Sequence, residues 1–271
     1  MSKNDQKKRN YVLLVLEIIC AVSFIYAAVQ LYVIFKDYQT ASNEYEALAE
    51  SMVVELQEET IAGDHFKEEM NQEPPASSSY DYEVPHYEVD MDAVKAQNSD
   101  TVGWIILPDS KINYPIVKSK DNTEYLTTTF EGKIANSGAI FMDMYCEGNF
   151  SSQNTIVYGH NMKNGSMFRA LNNMTEKDYF WSHHIFCIDT GNGFEEYEVI
   201  SCYETVETDL SSWQIGFESL EIYEAWLKNI VKRCNYDCTD YDVTKNTITL
   251  STCRGQSGGP GRFIVHLQKK F

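Results

Sequence analysis

Hydrophobic residues are concentrated near the N-terminus in one stretch, residues 11–35, whose only charged member is Glu17. As a helix, this stretch would reach about 37 Å, which exceeds the ~30 Å hydrocarbon core of a bilayer. Four basic residues precede it: Lys3, Lys7, Lys8 and Arg9. A cleaved signal peptide has a shorter apolar core and a small-residue cleavage site. The pattern therefore predicts an uncleaved transmembrane anchor with residues 1–10 in the cytoplasm and the remaining chain outside.

After the anchor, apolar residues recur at spacings of three and four, which is typical of a helix with one apolar side. These residues are Tyr38, Ala41, Tyr45, Leu48, Met52 and Leu56. A solvated stalk helix fits this pattern, and so does a helix packed on the folded domain or on a second chain. The Pro- and Ser-rich residues 73–79 predict a linker. We therefore expect residues 36–89 to form a partly helical, acidic extracellular stalk and residues 90–271 to form the folded domain.

Most of the remaining pattern predicts strands. Eight short runs rich in β-branched and aromatic residues are separated by turn residues: 103–107, 114–117, 138–142, 155–158, 184–188, 196–200, 247–250 and 262–267. Eight such runs favour a closed barrel over an open sheet. Helical patterns interrupt them at 92–98, 166–172 and, in a longer amphipathic form, 218–232. The predicted fold is mainly β with helices: a closed eight-stranded β-barrel with N-terminal helices and one long helix before the last two strands.

Three residues with complementary chemistry lie at ends of predicted strands. Cys253 ends one run, His160 follows another in a Gly-His-Asn turn, and Arg262 opens the last run. A thiolate can attack a carbonyl carbon, an imidazole can transfer protons, and a guanidinium can hold the resulting oxyanion. A lone cysteine is more often a core residue. The combination of the three nevertheless predicts a thiol acyl-transfer site.

Two nearby features imitate catalytic motifs. Arg254 directly follows the cysteine, so on a continuing strand its side chain points to the opposite face. Residues 255–259 match the G-x-S-x-G pattern of serine hydrolases, which requires a strand, a sharp turn and a helix. Here a Pro-Gly pair and another strand follow. We therefore expect a mobile loop and no nucleophile elbow.

Charge and cysteine content narrow the classes of function. The net charge is −18, and residues 36–90 alone hold fifteen Asp and Glu against two Lys. Nucleic-acid binders need basic patches, so this class is excluded. The number of cysteines is odd, seven, so at least one is free or pairs between chains. Cys234 and Cys238 are the closest pair, and a disulfide between them is left open. No histidine stands at metal-ligand spacing beside them, so the pair does not indicate a metal site. No cofactor is expected.

On these residues the chain resembles the sortases, and more narrowly the class B sortases. Thr249-Leu250-Ser251-Thr252-Cys253 resembles the family's TLxTC signature, while His160 and Arg262 match its histidine and arginine. Residues 100–117 and 138–143 also resemble class B members. The long helix predicted at 218–232 stands where class B enzymes place an extra helix. The resemblance covers roughly residues 90–271.

The resemblance implies a membrane-anchored cysteine transpeptidase on the surface of a Gram-positive cell. Cys253 would cleave an NPxTx-like sorting motif of a surface protein after its Thr and form a thioacyl-enzyme. An amine of a peptidoglycan precursor, of lipid II type, would then resolve this intermediate. Arg262 would bind the oxyanion, and Ser251 and Thr252 would line the substrate groove. No metal is implied.

Two alternatives remain open. A related cysteine endopeptidase would pass the thioacyl group to water with the same residues, and an added amine would not change its product. A membrane-tethered β-barrel that only binds a partner would not need Cys253. Three chemically matched residues at strand ends favour the two enzymes over the binding module.

Overall fold

A long helix leads into a small sheet at the start of the chain. The computed structural model describes residues 3–56, 84–234, 236–238, 241–255 and 259–270. Helix α1 (Lys3–Met52) is followed by a two-stranded antiparallel sheet of β1 (Val53–Leu56) and β2 (His86–Val89). Helix α2 (Met91–Gln97) begins at Asp90, whose side chain accepts a hydrogen bond from the Ala93 N–H. The predicted linker at 73–79 lies outside the described residues.

Eight further strands form the body of the molecule. They are β3 (Thr101–Ile106), β4 (Asn113–Val117), β5 (Ile140–Met142), β6 (Asn154–Tyr158), β7 (Ile185–Asp189), β8 (Phe194–Val206), β9 (Thr247–Cys253) and β10 (Gly261–Lys269). They close into a barrel in the order β10-β8-β7-β3-β4-β5-β6-β9. The pairs β4–β5 and β6–β9 are parallel, and the others are antiparallel. Each predicted run overlaps one of these strands, so the predicted closed barrel is confirmed.

Two helices lie between strands of the barrel, α3 (Lys177–Ser182) and α4 (Leu220–Val231). Helix α4 is the long helix predicted before the cysteine strand. Ser219 caps it by accepting from the Ile222 N–H, and its apolar face packs on Ile200 and Ile264. Three short 3₁₀ helices are also present: Glu124–Leu126, Phe168–Thr175 and Leu210–Trp213. The second replaces the helix predicted at 166–172, and six-residue α3 is too short for its periodicity to be recognised.

The C-terminal part of α1 packs on the barrel. Ala41, Tyr45 and Leu48 are buried, and the Tyr45 hydroxyl donates to the Gly138 carbonyl at 2.8 Å. The buried Glu44 carboxylate accepts from the Thr129 hydroxyl at 3.0 Å. Of the interpretations left open for the apolar stripe, the structure therefore shows a helix packed on the folded domain. The final member of the stripe, Leu56, lies in strand β1 and not in the helix; the domain boundaries themselves stay a prediction.

The apolar segment of α1 makes no such contacts among the described residues. From residue 11 to residue 35 its large apolar side chains are exposed. The segment Arg9–Met52 contains an 18-residue window with a mean hydropathy of 2.6, none of it buried within the protein. A helix of this length and composition is compatible with a membrane anchor.

His266 is a fully buried polar residue between β8 and β9. Its Nε2 atom is 2.9 Å from the Tyr203 hydroxyl and its Nδ1 atom is 2.8 Å from the Thr249 hydroxyl. The Trp226 ring of α4 packs edge-on against it. Burial lowers the pKa of His266 to about 3, because the charged imidazolium would lose its hydration. The barrel therefore holds this imidazole neutral.

This burial predicts a pH-dependent stability. Between the ordinary histidine pKa of 6.5 and the folded value of about 3, the unfolded chain binds a proton that the folded chain does not. The free energy of unfolding is therefore unaffected by protonation of His266 above pH 6.5. It decreases as the pH falls below 6.5, by up to about 1.4 kcal/mol per pH unit. Thermal unfolding of the detergent-solubilised chain should show a falling Tm from pH 7 to pH 5, and His266→Gln should show a shallower slope. Equal slopes would contradict this assignment.

Candidate active site

The sequence-predicted cysteine, histidine and arginine lie at the ends of three neighbouring strands. In the antiparallel pair β9–β10, Cys253 and Arg262 are directly opposite each other. Opposite residues on such strands place their side chains on the same face. In the parallel pair β6–β9, Tyr158 is opposite Ser251, and His160 and Cys253 each follow two residues later. The barrel thus brings the thiol, the imidazole and the guanidinium to one end of one sheet segment.

The backbone around the cysteine is held by two asparagines. The amide groups of Asn161 and Asn172 donate to the Cys253 carbonyl at 2.9 and 3.4 Å. The Arg254 N–H donates to the Gly261 carbonyl at 2.9 Å, which continues the β9–β10 pairing one residue past the cysteine. These contacts fix the end of β9, so the thiol is presented from a rigid position.

His160 is oriented by one side-chain and one backbone hydrogen bond. Its Nε2 atom is 2.8 Å from the Leu126 carbonyl oxygen. A carbonyl can only accept, so Nε2 carries the proton in this arrangement. The His160 carbonyl accepts from the Phe168 N–H at 2.9 Å. The Nδ1 atom has no hydrogen-bond partner among the described residues, which leaves it free to accept a proton.

Arg262 is anchored by part of its guanidinium only. Its Nη2 atom is 2.6 Å from a Glu207 carboxylate oxygen, and its Nη1 atom donates to the carbonyls of Gly259 and Gly261 at 2.7 and 2.9 Å. A guanidinium has five N–H donors. Three are used in these contacts, so two have no partner in the part of the chain that the structure describes. These two N–H groups can donate hydrogen bonds to an oxyanion, while the other three hold the guanidinium in place.

The three residues open into one groove with a volume of about 410 Å³. This is the size expected of a site for a small ligand or a short peptide segment. All five predicted site residues border it: Cys253, His160, Arg262, Ser251 and Thr252. The remaining walls are formed by Asn122, Leu126, Phe141, Tyr158, Gly159, Glu207, Leu210 and Trp213. Apolar side chains thus face the reacting groups, with a few polar groups placed to orient a ligand.

The two residues predicted to bind substrate differ in their surroundings. The Ser251 hydroxyl accepts from the Trp213 indole N–H at 3.2 Å and lies on the same face of β9 as Cys253. The Thr252 side chain alternates to the other face. Its hydroxyl is buried without a hydrogen-bond partner among the described residues. Substrate contact by Ser251 is therefore better supported by geometry than contact by the Thr252 side chain, and both stay predictions.

The first of the two imitating features, Arg254, does not border the groove. Arg254 pairs with Glu204 at 2.8 Å and donates to the Asn172 amide oxygen at 3.3 Å, away from the groove lining. The expected opposite orientation of Arg254 and Cys253 agrees with these contacts. Residues 256–258 of the serine-hydrolase-like pattern lie outside the described residues.

Gly159, which directly precedes His160, is closely packed against two side chains. A Cβ atom at Gly159 would lie 2.5 Å from Ile140 Cδ1 and 2.6 Å from Phe168 Cδ2. We predict that Gly159→Ala destabilises the protein by about 1–3 kcal/mol, because the packed neighbours must shift. Gly216→Ala is the control, since no atom lies within 4 Å of its Cβ position. Thermal unfolding should show a lower Tm for Gly159→Ala alone, and equal values would contradict the close packing.

Sequence patterns did not indicate two of the groove residues, Glu207 and Trp213, or the contact that Asn161 makes with the cysteine backbone. Glu207 lies 55 residues from Arg262, in an acidic stretch without a motif. Trp213 lies 38 residues from Ser251. Asn161 was visible in the Gly-His-Asn turn, but its contact with the Cys253 carbonyl spans 92 residues. No local signal connects such pairs, because only the closure of the barrel brings them together.

Comparisons with known proteins agree with this architecture. Residues 105–270 match the family profile described as Sortase domain. Sortase B of Listeria monocytogenes is 38% identical over 170 residues, which cover 62% of this chain and 69% of the relative. Sortase B of Staphylococcus aureus is 31% identical over 186 residues, which cover 68% and 75% of the two chains. A solved Staphylococcus aureus sortase B-substrate complex superimposes with a TM-score of 0.61 and 30% identity, covering 66% of this chain and 85% of that structure.

The matched region includes the complete barrel apart from the first residues of β3. It also includes the strand ends that carry His160, Cys253 and Arg262. The fold, the family profile and the relatives thus indicate the same family as the TLxTC resemblance in the sequence. The chain belongs to the sortase family of cysteine transpeptidases, as a class B sortase.

Proposed function

We propose that this sortase cleaves a C-terminal sorting motif of NPxTx type after its Thr and attaches the surface protein to an amine of a peptidoglycan precursor. One observation carries the proposal: Cys253 and Arg262 face each other across β9–β10, and His160 borders the same groove. A nucleophile, a proton carrier and an oxyanion donor are thus available to a single bound carbonyl.

The first half-reaction forms the thioacyl-enzyme. The Cys253 thiolate attacks the Thr carbonyl carbon, and the developing oxyanion receives hydrogen bonds from the N–H donors of Arg262 that its anchors leave free. When the tetrahedral intermediate collapses, the C–N bond breaks. His160, which has taken the proton of the Cys253 thiol, then gives this proton to the departing amine, which would otherwise be a poor leaving group.

The second half-reaction uses the same residues in reverse. The acceptor amine attacks the thioacyl carbonyl, and His160 takes a proton from it. Arg262 again stabilises the oxyanion. Collapse of this intermediate releases the Cys253 thiolate and leaves a new amide bond to the surface protein. If water attacks in place of the amine, the same site acts as an endopeptidase.

The groove supports a peptide substrate. Its apolar wall includes Leu126, Leu210 and Trp213, and its polar members include Asn122 and Tyr158. An extended pentapeptide lying in this groove would bring its Thr carbonyl to Cys253, beside Ser251 and Thr252. The related Staphylococcus aureus enzyme has been solved as a sortase B-substrate complex, which supports the same kind of ligand here.

The exposed apolar part of α1 supports a membrane-anchored location. With the N-terminus in the cytoplasm, the barrel would stand outside the cell. Helix α1 continues without interruption from the apolar segment to the residues buried against the barrel. The groove would therefore remain close to the membrane surface, where a lipid-linked peptidoglycan precursor and a surface protein still in transit can both reach it.

The experiment that tests the proposal is mass spectrometry of the full chain in detergent micelles. The enzyme is incubated with fluorogenic NPxTx peptides, with and without a glycine-type or diaminopimelate-type amine. A thioacyl adduct on Cys253 together with an amine-ligated product is the expected result. Cleavage by water alone at every amine concentration would favour the endopeptidase. A folded protein that forms no adduct and cleaves nothing would favour the binding module.

A further inference from the structure

Three cysteines that the proposed reaction does not use meet where the segment after α4 packs beside β8. The Sγ atom of Cys234 is 3.0 Å from that of Cys238 and 4.0 Å from that of Cys202. Cys202 is buried, whereas Cys234 and Cys238 are partly exposed. None of the three borders the groove. They form a separate group of thiols, which we call the thiol cluster.

We propose that Cys234 and Cys238 of the thiol cluster are a redox-active pair that forms an intrachain disulfide in the presence of a low-molecular-weight disulfide. A disulfide bond requires an S–S distance of roughly 2.0 Å, so the two sulfur atoms need to approach by only about 1 Å. Both lie in the short segment that follows α4, and both are partly exposed to a small oxidant. This site is separate from the groove, and its chemistry does not depend on the proposed function.

The oxidation proceeds by two thiol–disulfide exchanges. The Cys234 thiolate attacks one sulfur of the oxidant, and the other sulfur leaves as a thiolate. The Cys238 thiolate then attacks the Cys234 sulfur of the mixed disulfide and releases the second small thiol. The two protein thiols lose two electrons and two protons, and the oxidant is reduced to two thiols.

The surroundings of Cys234 favour it as the first attacking group. Hydrogen bonds from the thiols of Cys202 and Cys238 hold the pKa of Cys234 below its ordinary range. The Cys202 backbone N–H also points at the Cys234 sulfur, at 3.4 Å. The pKa values of Cys202 and Cys238 are raised, in both cases first by hydrogen bonding to Cys234. Because the thiolate is the reactive form, Cys234 attacks and Cys238 resolves.

The pair is also connected to the wall of the groove. Arg233 directly precedes Cys234 and forms an ion pair with Asp209 at 2.6 Å. Its guanidinium also donates to the hydroxyls of Thr205 and Ser212. The chain between these two residues includes Glu207, the partner of Arg262. Arg233 thus connects the groove wall that includes Glu207 to the end of α4. A disulfide at the next residue, Cys234, would restrict the movement of Arg233.

A metal site is the competing use of three thiols, and the geometry favours it less. The described residues include no group of three or more His, Cys, Asp or Glu arranged to hold a metal ion. Structural zinc sites in proteins have four ligands in a tetrahedron. A close pair with a third thiol at 4.0 Å is better suited to disulfide exchange.

Peptide mapping of the full chain in detergent tests the proposal. A Cys253→Ala background removes the groove thiol, and the protein is incubated with oxidised glutathione, alkylated and digested with trypsin. Cleavage after Arg233 and Lys245 yields one peptide that contains both Cys234 and Cys238. This peptide should lack two hydrogens and resist alkylation until it is reduced, while the buried Cys146 and Cys187 remain free thiols. The oxidised protein should also unfold at a temperature several degrees higher than the reduced protein.

Two cysteine variants test whether the disulfide forms specifically between Cys234 and Cys238. Cys238→Ser should leave Cys234 as a mixed disulfide with glutathione and should abolish the gain in Tm. Cys187→Ser, a change in a cysteine outside the cluster, should leave the disulfide intact. The proposal is overturned if Cys234 and Cys238 are both alkylated after oxidation, if Cys234 is found linked to Cys202, or if co-purified zinc protects the thiols until a chelator removes it. No step measures turnover, so failure here is distinguishable from failure of the proposed function.

Discussion

Cys253→Ala is expected to abolish both cleavage and transfer, with a loss of roughly 10⁴–10⁶-fold in turnover. Alanine has no nucleophile, so no thioacyl-enzyme forms and the remaining groove can only bind the peptide. The fold should survive, because the change removes a single partly exposed sulfur atom at the end of β9. The measurement is the initial rate of peptide cleavage, paired with a thermal unfolding curve for each protein.

The matched control for this prediction is Cys20→Ala, which removes the exposed cysteine of the apolar segment and should retain full turnover. If Cys253→Ala cleaves at a rate near that of the unmodified enzyme, the nucleophile is assigned to the wrong residue. A variant that has lost its unfolding transition would report on the fold and not on the chemistry, which is why both measurements are made on the same preparation.

Arg262→Lys should lower kcat by about 10²–10³-fold, the usual effect of removing an oxyanion donor. A lysine keeps the positive charge but has one ammonium group in place of a planar fork. It cannot hold Glu207 and the carbonyls of Gly259 and Gly261 while it also donates to an oxyanion. Because the lost interaction strengthens in the transition state, we expect kcat to fall far more than KM rises.

Arg254→Lys is the control, since Arg254 lies beside Arg262 in the fold but pairs with Glu204 outside the groove. Steady-state kinetics of the two variants should separate them clearly. Normal kcat in Arg262→Lys would remove the guanidinium from the mechanism. An equal loss in both variants would mean that the local charge matters and the geometry of the fork does not.

The identity of the reacting groups could be predicted from local sequence. Cys253 and His160 each end a run of β-branched residues, and Arg262 opens one. Strand propensity and turn residues are properties of neighbouring positions, so they are visible without the fold. For the same reason the eight strands of the barrel and the helix α4 were recognisable. The length of β8 was underestimated, because its second half takes its extended form from pairing with β10.

The arrangement of those groups was decided by strand pairing. Nothing in the sequence near His160 specifies that β6 runs parallel to β9, or that Cys253 meets Arg262 in register. Register depends on which hydrophobic faces are buried together across long sequence separations. The same holds for Glu207, which is recognisable as the partner of Arg262 only when β8 and β10 are adjacent.

The packing of α1 shows most simply what local sequence predicts and what tertiary contacts decide. The spacing of Tyr38, Ala41, Tyr45 and Leu48 determined a helix with one apolar side, because helical periodicity is local. It did not determine which surface covers that side. In the structure Tyr45 and Leu48 join the hydrophobic core of the domain, and the buried Glu44 carboxylate accepts a hydrogen bond from the Thr129 hydroxyl.

The sequence by itself thus determined the eight barrel strands, the helix α4, the anchor-like apolar segment and the chemical types of the site residues. Only the tertiary structure decided their distances, the partners of His160 and Arg262, and the meeting of Cys202 with Cys234 across 32 residues. The physical reason is common to all of these. Propensity and periodicity act between residues a few positions apart, whereas contacts between distant residues are set by the closure of one hydrophobic core.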